Sequence, residues 1–556
     1  MLAAADPTSF RPAATVILAR EGAEGMELLL LGRSLEAAYF PGAWVFPGGT
    51  LAAGDYEPQA AQRVIGLREA AANQRLKTAA NALAYWVAAV RECFEEAGIL
   101  LAVDAQHRPL TPARMAELSL HRAALNAGTL RFNDFLARHD LYIAADEMAY
   151  VAHWITPAIQ ARRFDTRFLL AHAPAGQDVA HDNHEIVRSL WLPPAEALTR
   201  SRRGELSMVR ATQATIAEMT RFASPQSALA HFHGAVEVPE NRPCLAQGRD
   251  GPKIFGQGDA PYAEVHWVDP KEGGQSSYDL VADAPKRLDN HVTRVLAPNP
   301  GFMTGPGTNT YLVGDRERVV IDPGPDDPAH IAAIVEAGAG RIRWIVVTHT
   351  HRDHSPAAVA LRAATGAQIA GRPAGVDGAH DVAVPYDRVL NDGDVVGGDD
   401  ARLQVLHTPG HASNHLCYLL PETRMLFTGD HVIQGSTVVI APPDGNMNAY
   451  LTSLRRLGSL NVAIMAPGHG YLIGRPQQEI ARLIAHRLAR EAKVRAALHG
   501  FGGRATLNLL LPKVYDDVPA AIHPVAARSL RAHLDKMVDD GELTYADESW
   551  SVRTAA

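Results

Sequence analysis

The sequence predicts a multidomain α+β chain. Its 556 residues exceed what one hydrophobic core holds. Leucine-rich and β-branched runs alternate with alanine-rich helical stretches. A segment dense in Gly, Pro and polar residues, at about 241–289, separates two halves that do not resemble each other. With 47% hydrophobic and 21% charged residues the composition is that of a globular protein, and no apolar run is long enough to span a bilayer. Membrane partners are not expected. The net charge of -8 argues against a dedicated duplex-binding protein but leaves room for a small RNA-contacting patch. Cys93, Cys244 and Cys417 are too scattered for a disulfide framework or a thiolate metal site. The start "MLAAADPTSFRPAATVIL" lacks a basic segment ahead of an apolar one, so a cytoplasmic protein without an export leader is expected.

In chain order, "ATVILA" and "MELLLLGRS" predict strands, and "WVFPGG" ends in a chain-turning Pro-Gly-Gly. Helical sequence dominates from about 60 to 145. Strands return at "RRFDTRFLLAHAP" and "IVRSLWL". After the polar connection, "NTYLVG", "RVVIDPGP" and "RWIVV" restart the strand pattern, and the tail from about 480 is helical before the hairpin-like "GELTYADESWSV".

The stretch "AVRECFEEAGIL" poses a problem of charge. Glu92, Glu95 and Glu96 stand at i, i+3 and i+4, so they share one helix face and repel one another. A solvated acidic face would be the plain reading. A hard cation such as Mg2+ or Mn2+ reverses the balance, because it prefers oxygen ligands. From Arg91 to Ile99 the string resembles the second half of the Nudix box. Its first half, Gly-x5-Glu, is absent seven residues upstream but stands earlier as "GGTLAAGD", where Gly49 and Asp55 have the right separation and Asp replaces Glu. The box is split by an insertion, as in the peroxisomal coenzyme A diphosphohydrolases of the Nudix superfamily. The segment "LLLGRSLEAAYFPGAWVFPGG" is also similar to a coenzyme A signature, with Arg33, Ser34, Gly42 and the Phe46 to Gly49 turn in register; Leu31 and Ala38 depart from it. The resemblance implies a Nudix α/β/α sandwich that hydrolyses a nucleoside-diphosphate-linked small molecule such as coenzyme A or acyl-coenzyme A. Glu92, Glu95 and Glu96 would hold Mg2+ or Mn2+, with Arg91 and Glu95 in the catalytic set and Arg33, Gly48 and Gly49 at the substrate. Arg91 is expected to orient a box carboxylate. Glu185, in "DNHEIVRSLW", is a candidate base with an equally open reading as a surface residue.

In the second half "THTHRDH" clusters His349, His351, Asp353 and His354 at a predicted strand end. Imidazole and carboxylate together suit borderline metals. His411 in "HTPGHASNH", Asp430 in "LFTGDHV" and His469 in "MAPGHG" follow in order. The whole resembles the metallo-β-lactamase superfamily, which implies an αββα sandwich with two Zn2+, or Mn2+ or Fe2+. By that resemblance His349, His351 and His411 hold one ion, Asp353, His354 and His469 the other, and Asp430 bridges. Asp353 also orients the water that the two ions activate. Asp322 would be a supporting residue, and His415 and His431 have no motif role.

The tail carries an apolar stripe, Ala527, Leu530, Leu534 and Val538, before its hairpin. It resembles the winged helix that follows the metallo-β-lactamase domain in β-lactamase-like endoribonucleases, although acidic residues offset its Arg and Lys, and the stripe reads as core. The expected domains are a Nudix domain at 1–240, a linker at 241–289, a metallo-β-lactamase domain at 290–478 and a winged helix at 479–556. Hydrolysis of a phosphodiester in single-stranded RNA is the expected second activity. A glyoxalase II-like thioesterase, or one domain reduced to a binding module, are the alternatives.

Overall fold

The run "RPAATVILAREG" forms the strand Arg11–Gly22, the spine of the N-terminal sheet in the computed structural model. The structure describes residues 10–37, 39–160, 162–182, 184–234, 237–374, 380 and 384–553. Ala38 of the signature lies outside them. Side chains of a strand alternate between faces. Ala14, Val16 and Leu18 pack on the helix Leu83–Ala97, whereas Ile17 and Ala19 meet Ile216, Met219, Ala228 and Phe232 of the helices Arg210–Met219 and Pro225–His233. Both faces are therefore covered, which explains a nearly unbroken apolar run. The strand pairs antiparallel with Gly25–Arg33 and parallel with Phe164–His172, and Met148–Ile155 extends the sheet. The result is an α/β/α sandwich.

The insertion that divides the box is itself structured. It forms the helices Pro58–Gln62 and Glu69–Leu76 around the short strand Val64–Ile65. Ala60, Val64, Ala72 and Leu76 join the core beside the helix Leu83–Ala97. Glu69 Oε1 accepts the Ala82 amide at 2.7 Å and Asn73 Oδ1 accepts it at 3.0 Å, so the insertion caps the N-terminus of the box helix.

The chain divides into two units, Met1–Pro243 and Cys244–Ala556. Residues 244–289, expected to be a linker, differ from that reading. They form the strands Cys244–Ala246 and Lys253–Phe255 and the helix Tyr262–Val268 within the second unit. Glu264 is fully buried there, with Arg294 Nη1 donating to it at 2.6 Å and Lys286 Nζ at 2.6 Å. Gly and Pro density marked the turns, but the buried partners that order the segment stand in later strands.

The second unit stacks two sheets. One runs Pro285–Arg287, Val292–Leu296, Asn309–Val313, Arg318–Ile321, Ile342–Val346, Gln368–Gly371 and Arg388–Val389. The other runs Val395–Gly398, Ala401–His407, Leu416–Leu420, Met425–Gly429 and Ile464–Pro467. Tyr311, Val319, Leu403, Tyr418 and Phe427 fill the space between them. Ile334 and Leu361 cover one outer face and Tyr450, Leu451 and Leu454 the other, completing an αββα sandwich. The tail sets the helices Leu507–Val514 and His523–Asp539 against a three-stranded sheet, Arg504–Thr506, Ser549–Val552 and Leu543–Ala546. Leu530 and Leu534 are fully buried, while Ala527 and Val538 are half-buried and Ala526 and Met537 take the deeper places. Cys93, Cys244 and Cys417 are buried and free. Among the described residues no helix is long and apolar enough to cross a membrane.

Replacing Glu264 by Ala strands the buried Arg294, 2% exposed, without its counter-charge. Guanidinium denaturation should show a loss of about 3–5 kcal/mol in the second unit. An unchanged midpoint would mean that the pair does not order 244–289.

Candidate metal centres

The strand Ile342–Val346 leads into "THTHRDH", where the chain leaves the sheet. Asp322, just past the strand Arg318–Ile321, holds this stretch in place. Its Oδ1 accepts the Thr348 amide at 2.6 Å, and its Oδ2 accepts the Thr348 hydroxyl at 2.7 Å and lies 2.8 Å from His354 Nδ1. That contact sets the ring of His354 and leaves Nε2 facing the site. His411 is set by Nδ1, 2.8 Å from the Val439 carbonyl, and His469 by Nδ1, 3.1 Å from the Gly307 carbonyl. The run "GTNTYLV" has a physical role here. The Asn309 amide donates to the carbonyls of Pro467 at 2.9 Å and Gly470 at 2.8 Å, clamping the turn that bears His469. Within that turn a Cβ on Gly468 would stand 2.7 Å from Asp430 Oδ1, so the close approach requires glycine.

Two groups of donors result: His349, His351 and His411, and Asp353, His354, Asp430 and His469, with the ligand-type atoms of each group within 4.8 Å of one another. In the first, His351 Nδ1 lies 2.9 Å from His349 Nε2 and 3.1 Å from His411 Nε2. Burial, reinforced by neighbouring imidazoles, holds His349 far below the usual histidine range and pulls His351 down to about 3, so these rings are neutral. Asp430 reaches both groups: Oδ1 is 3.4 Å from His354 Nε2 and 3.3 Å from His469 Nε2, and Oδ2 is 3.8 Å from His411 Nε2. Burial draws His469 down, but Asp430 and Asp353 outweigh it and lift its pKa to about 9. His354 Nε2, His469 Nε2 and Asp430 Oδ1 are sealed from solvent and make no hydrogen bond within the chain. Orphaned buried donors are costly, and an imidazole and carboxylate set of this kind fits divalent cations.

His380 was not visible from the sequence. It stacks on His351 with ring centroids 4.8 Å apart, its Nδ1 2.9 Å from Thr350 Oγ1 and its Nε2 3.0 Å from Asp444 Oδ2. Nothing in the spacing of "GAHDV" points to it. His415 and His431 are buried beside the site and belong to neither donor group; His415 Nδ1 lies 3.0 Å from Thr408 Oγ1.

In the first unit Arg91 joins the two halves of the box. Its Nε and Nη2 donate to Asp55 at 3.0 and 2.9 Å, and its Nη1 donates to Glu92 at 2.8 Å and Glu95 at 3.0 Å. Glu96 Oε2 accepts the Gly48 amide at 3.0 Å. A Cβ on Gly49 would stand 2.5 Å from the Glu92 carboxyl, and one on Gly48 2.5 Å from the Ala14 carbonyl. Glu92 and Glu96 thus lie against the glycine turn, and Glu92 and Glu95 share Arg91 Nη1. Among the described residues the three glutamates do not form a donor group as close as those of the second unit. Burial raises Glu92 to about 7 and Glu96 well above the usual carboxylate range. Arg33 donates to Glu185 at 2.5 Å and to the Tyr39 carbonyl at 2.9 Å, so Glu185 is held by an ion pair.

Family models match three parts of the chain: the NUDT19 Nudix domain over residues 10–219, the Metallo-beta-lactamase superfamily over 303–469, and the Beta-lactamase associated winged helix domain over 506–550. Lactamase-like protein aptB of Emericella nidulans is 30% identical over 318 residues, 53% of this chain and 97% of that protein. The Atrochrysone carboxyl ACP thioesterase of Aspergillus fumigatus is 31% identical over 250 residues, 42% of this chain and 76% of that protein. A solved NUDIX hydrolase from Alicyclobacillus acidocaldarius is 27% identical with a TM-score of 0.34, covering 40% of this chain and 96% of its own. Two sandwiches, each with its cluster of acidic or imidazole side chains, define a metal-dependent hydrolase. The chain belongs to the metallo-β-lactamase superfamily, with a NUDT19-type Nudix domain ahead of that fold and a β-lactamase-associated winged helix after it.

With His469 at about 9 and His354 also raised by its neighbouring carboxylates, cation loading near neutral pH should displace protons from both. Calorimetry in buffers of different ionisation enthalpy should record proton release, with affinity rising about tenfold per pH unit for each proton displaced. Asp353→Ala and His469→Ala should lower the metal content; full retention in both would exclude them as ligands.

Proposed function

We propose a bifunctional hydrolase in which the C-terminal centre cleaves an acyl thioester and the N-terminal centre cleaves the diphosphate of a coenzyme A-type nucleotide. Its domains are a Nudix domain to about residue 240, a metallo-β-lactamase domain ending near 478 and a winged helix beyond it, with 244–289 assigned to the second unit. One observation carries the thioester reading. A cavity of about 440 Å3 opens on His411, Asp430 and His469, and much of its lining is aliphatic or aromatic. Of its two arginines, Arg490 is paired with Asp517 at 2.7 Å, and Arg487 is buried, 2% exposed, with its Nη2 donating to the Val438 carbonyl at 2.5 Å. A phosphodiester backbone asks for uncommitted cations; an acyl group asks for apolar surface. The thioesterase name of a relative agrees with this reading.

In the C-terminal centre His349, His351 and His411 would hold one cation and Asp353, His354 and His469 a second, with Asp430 as the carboxylate between the two groups. Zn2+ suits the imidazole-rich set, with Mn2+ or Fe2+ as substitutes. Bound cations supply the Lewis acidity that makes water a nucleophile at neutral pH and takes up developing charge. Asp353 orients the water. The water oxygen bonds to the carbonyl carbon, the carbon–sulfur bond breaks, and the thiolate takes up a proton to leave as thiol beside the carboxylate product. In the N-terminal centre Glu92, Glu95 and Glu96 would hold Mg2+ or Mn2+, Arg91 positions Asp55, Glu92 and Glu95, and Arg33 with the Gly48–Gly49 turn meets the substrate. The winged-helix match supports single-stranded RNA as a second reading for the C-terminal centre.

In a Glu96→Gln background the protein should hydrolyse acyl-coenzyme A at its thioester, and adding Asp353→Ala should reduce this by at least about 100-fold. Cleavage of single-stranded RNA with no thiol release would sink the thioester reading. With Mg2+ or Mn2+, the Asp353→Ala protein should still split coenzyme A at its diphosphate, and Glu96→Gln should not; equal turnover by both overturns the Nudix assignment.

A further inference from the structure

The cavity over the C-terminal centre has walls from two different parts of the second unit. One is the loop ahead of Asn309, where Phe302 is 71% exposed and Met303 52% exposed. The facing wall comes from the C-terminal tail: Val518, Ile522 and Val525 are half-buried and line the same cavity as His411, Asp430 and His469. Beside this wall Arg487 is buried and donates to the Val438 carbonyl. Arg490 is tied to Asp517 and the Val514 carbonyl and lies over the Tyr515 ring at 4.2 Å. His486 is uncharged, because burial and the adjacent Arg487 and Arg490 draw its pKa down to about 4.

We propose that the winged-helix tail is the acyl-binding wall of the C-terminal centre, gripping the apolar chain of a thioester between Ile522 and Val525 on one side and Phe302 and Met303 on the other. This rests on the thioester reading above. The scissile carbonyl lies at the donor groups, so the acyl chain runs outward between the two walls, and the tail selects acyl groups by length and bulk. Each methylene withdrawn from water between such walls should raise kcat/KM about fourfold until the cavity is full.

The test uses the full chain loaded with Zn2+ or Mn2+ and a series of acyl-coenzyme A thioesters from acetyl to dodecanoyl, read by thiol release. The expected result is a kcat/KM that climbs with chain length. In Ile522→Ser and Val525→Ser the ratio of long-chain to acetyl kcat/KM should fall about tenfold, mainly through KM, and Ile522→Trp should shift the preference to shorter chains. Phe302→Ser, on the exposed loop and outside the fold of the tail, should lower the same ratio. Thioester hydrolysis with the same chain-length profile in the parent and all four variants overturns the acyl wall alone. Absence of thioester hydrolysis in the parent overturns the underlying reading as well. A substitution that merely loosened the tail would lower all substrates together, leaving the ratio unchanged, and would count against the proposal.

Discussion

The C-terminal site depends on one buried carboxylate that is not itself in a donor group. Asp322 receives the amide and hydroxyl of Thr348 and faces His354 Nδ1 from the end of a neighbouring strand. Its backbone sits in the left-handed region, at φ 51°. A buried anion is tolerated only where its lone pairs are filled, so Asp322 and the "THTHRDH" stretch must assemble together or not at all. Once they do, the ring nitrogens that face away from the site are anchored on Asp322, Val439 and Gly307, and the facing nitrogens converge. The Asn309 clamp on the Pro467 to Gly470 turn brings in the last histidine.

The N-terminal centre is held by a different device with the same logic. Thirty-five residues stand between Asp55 and Arg91, a long loop whose closure entropy grows only slowly with length. Two-pronged pairing of Arg91 with Asp55 closes it, and Glu69 within the insertion caps the helix that Arg91 rides on. Asp in place of the usual Glu shortens the box carboxylate by one methylene. The side chain nevertheless reaches, because Asp55 is carried on a tight turn, Ala53–Tyr56, beside the helix.

Electrostatics divides the two centres. In one, burial raises the pKa of the repelling glutamates; in the other, imidazoles drawn down by burial stand beside rings raised by neighbouring carboxylates. The cavity above the second centre continues as apolar surface from the tail rather than as free charge. The donor groups and the apolar lining of that cavity thus come from separate segments of one unit.

Resemblance of the motifs to two known families made both sandwiches and the divided box legible and named the seven residues of the two imidazole and carboxylate groups, because ligand chemistry demands particular side chains in a recognisable chain order. The apolar run "ATVILA" likewise announced a strand, and the structure shows Val16 and Leu18 packed on one face and Ile17 and Ala19 on the other. Tertiary structure decided what depends on partners distant in sequence. His380 behind His351, the Glu264 pairing that turns an apparent linker into a folded segment, the pairing of Arg91 with Asp55 across the insertion, and the placing of Ile522 and Val525 in one cavity with His411, Asp430 and His469 all arise from long-range contacts. Such contacts leave no periodicity, because a buried polar group needs a partner in space and is indifferent to how many residues lie between.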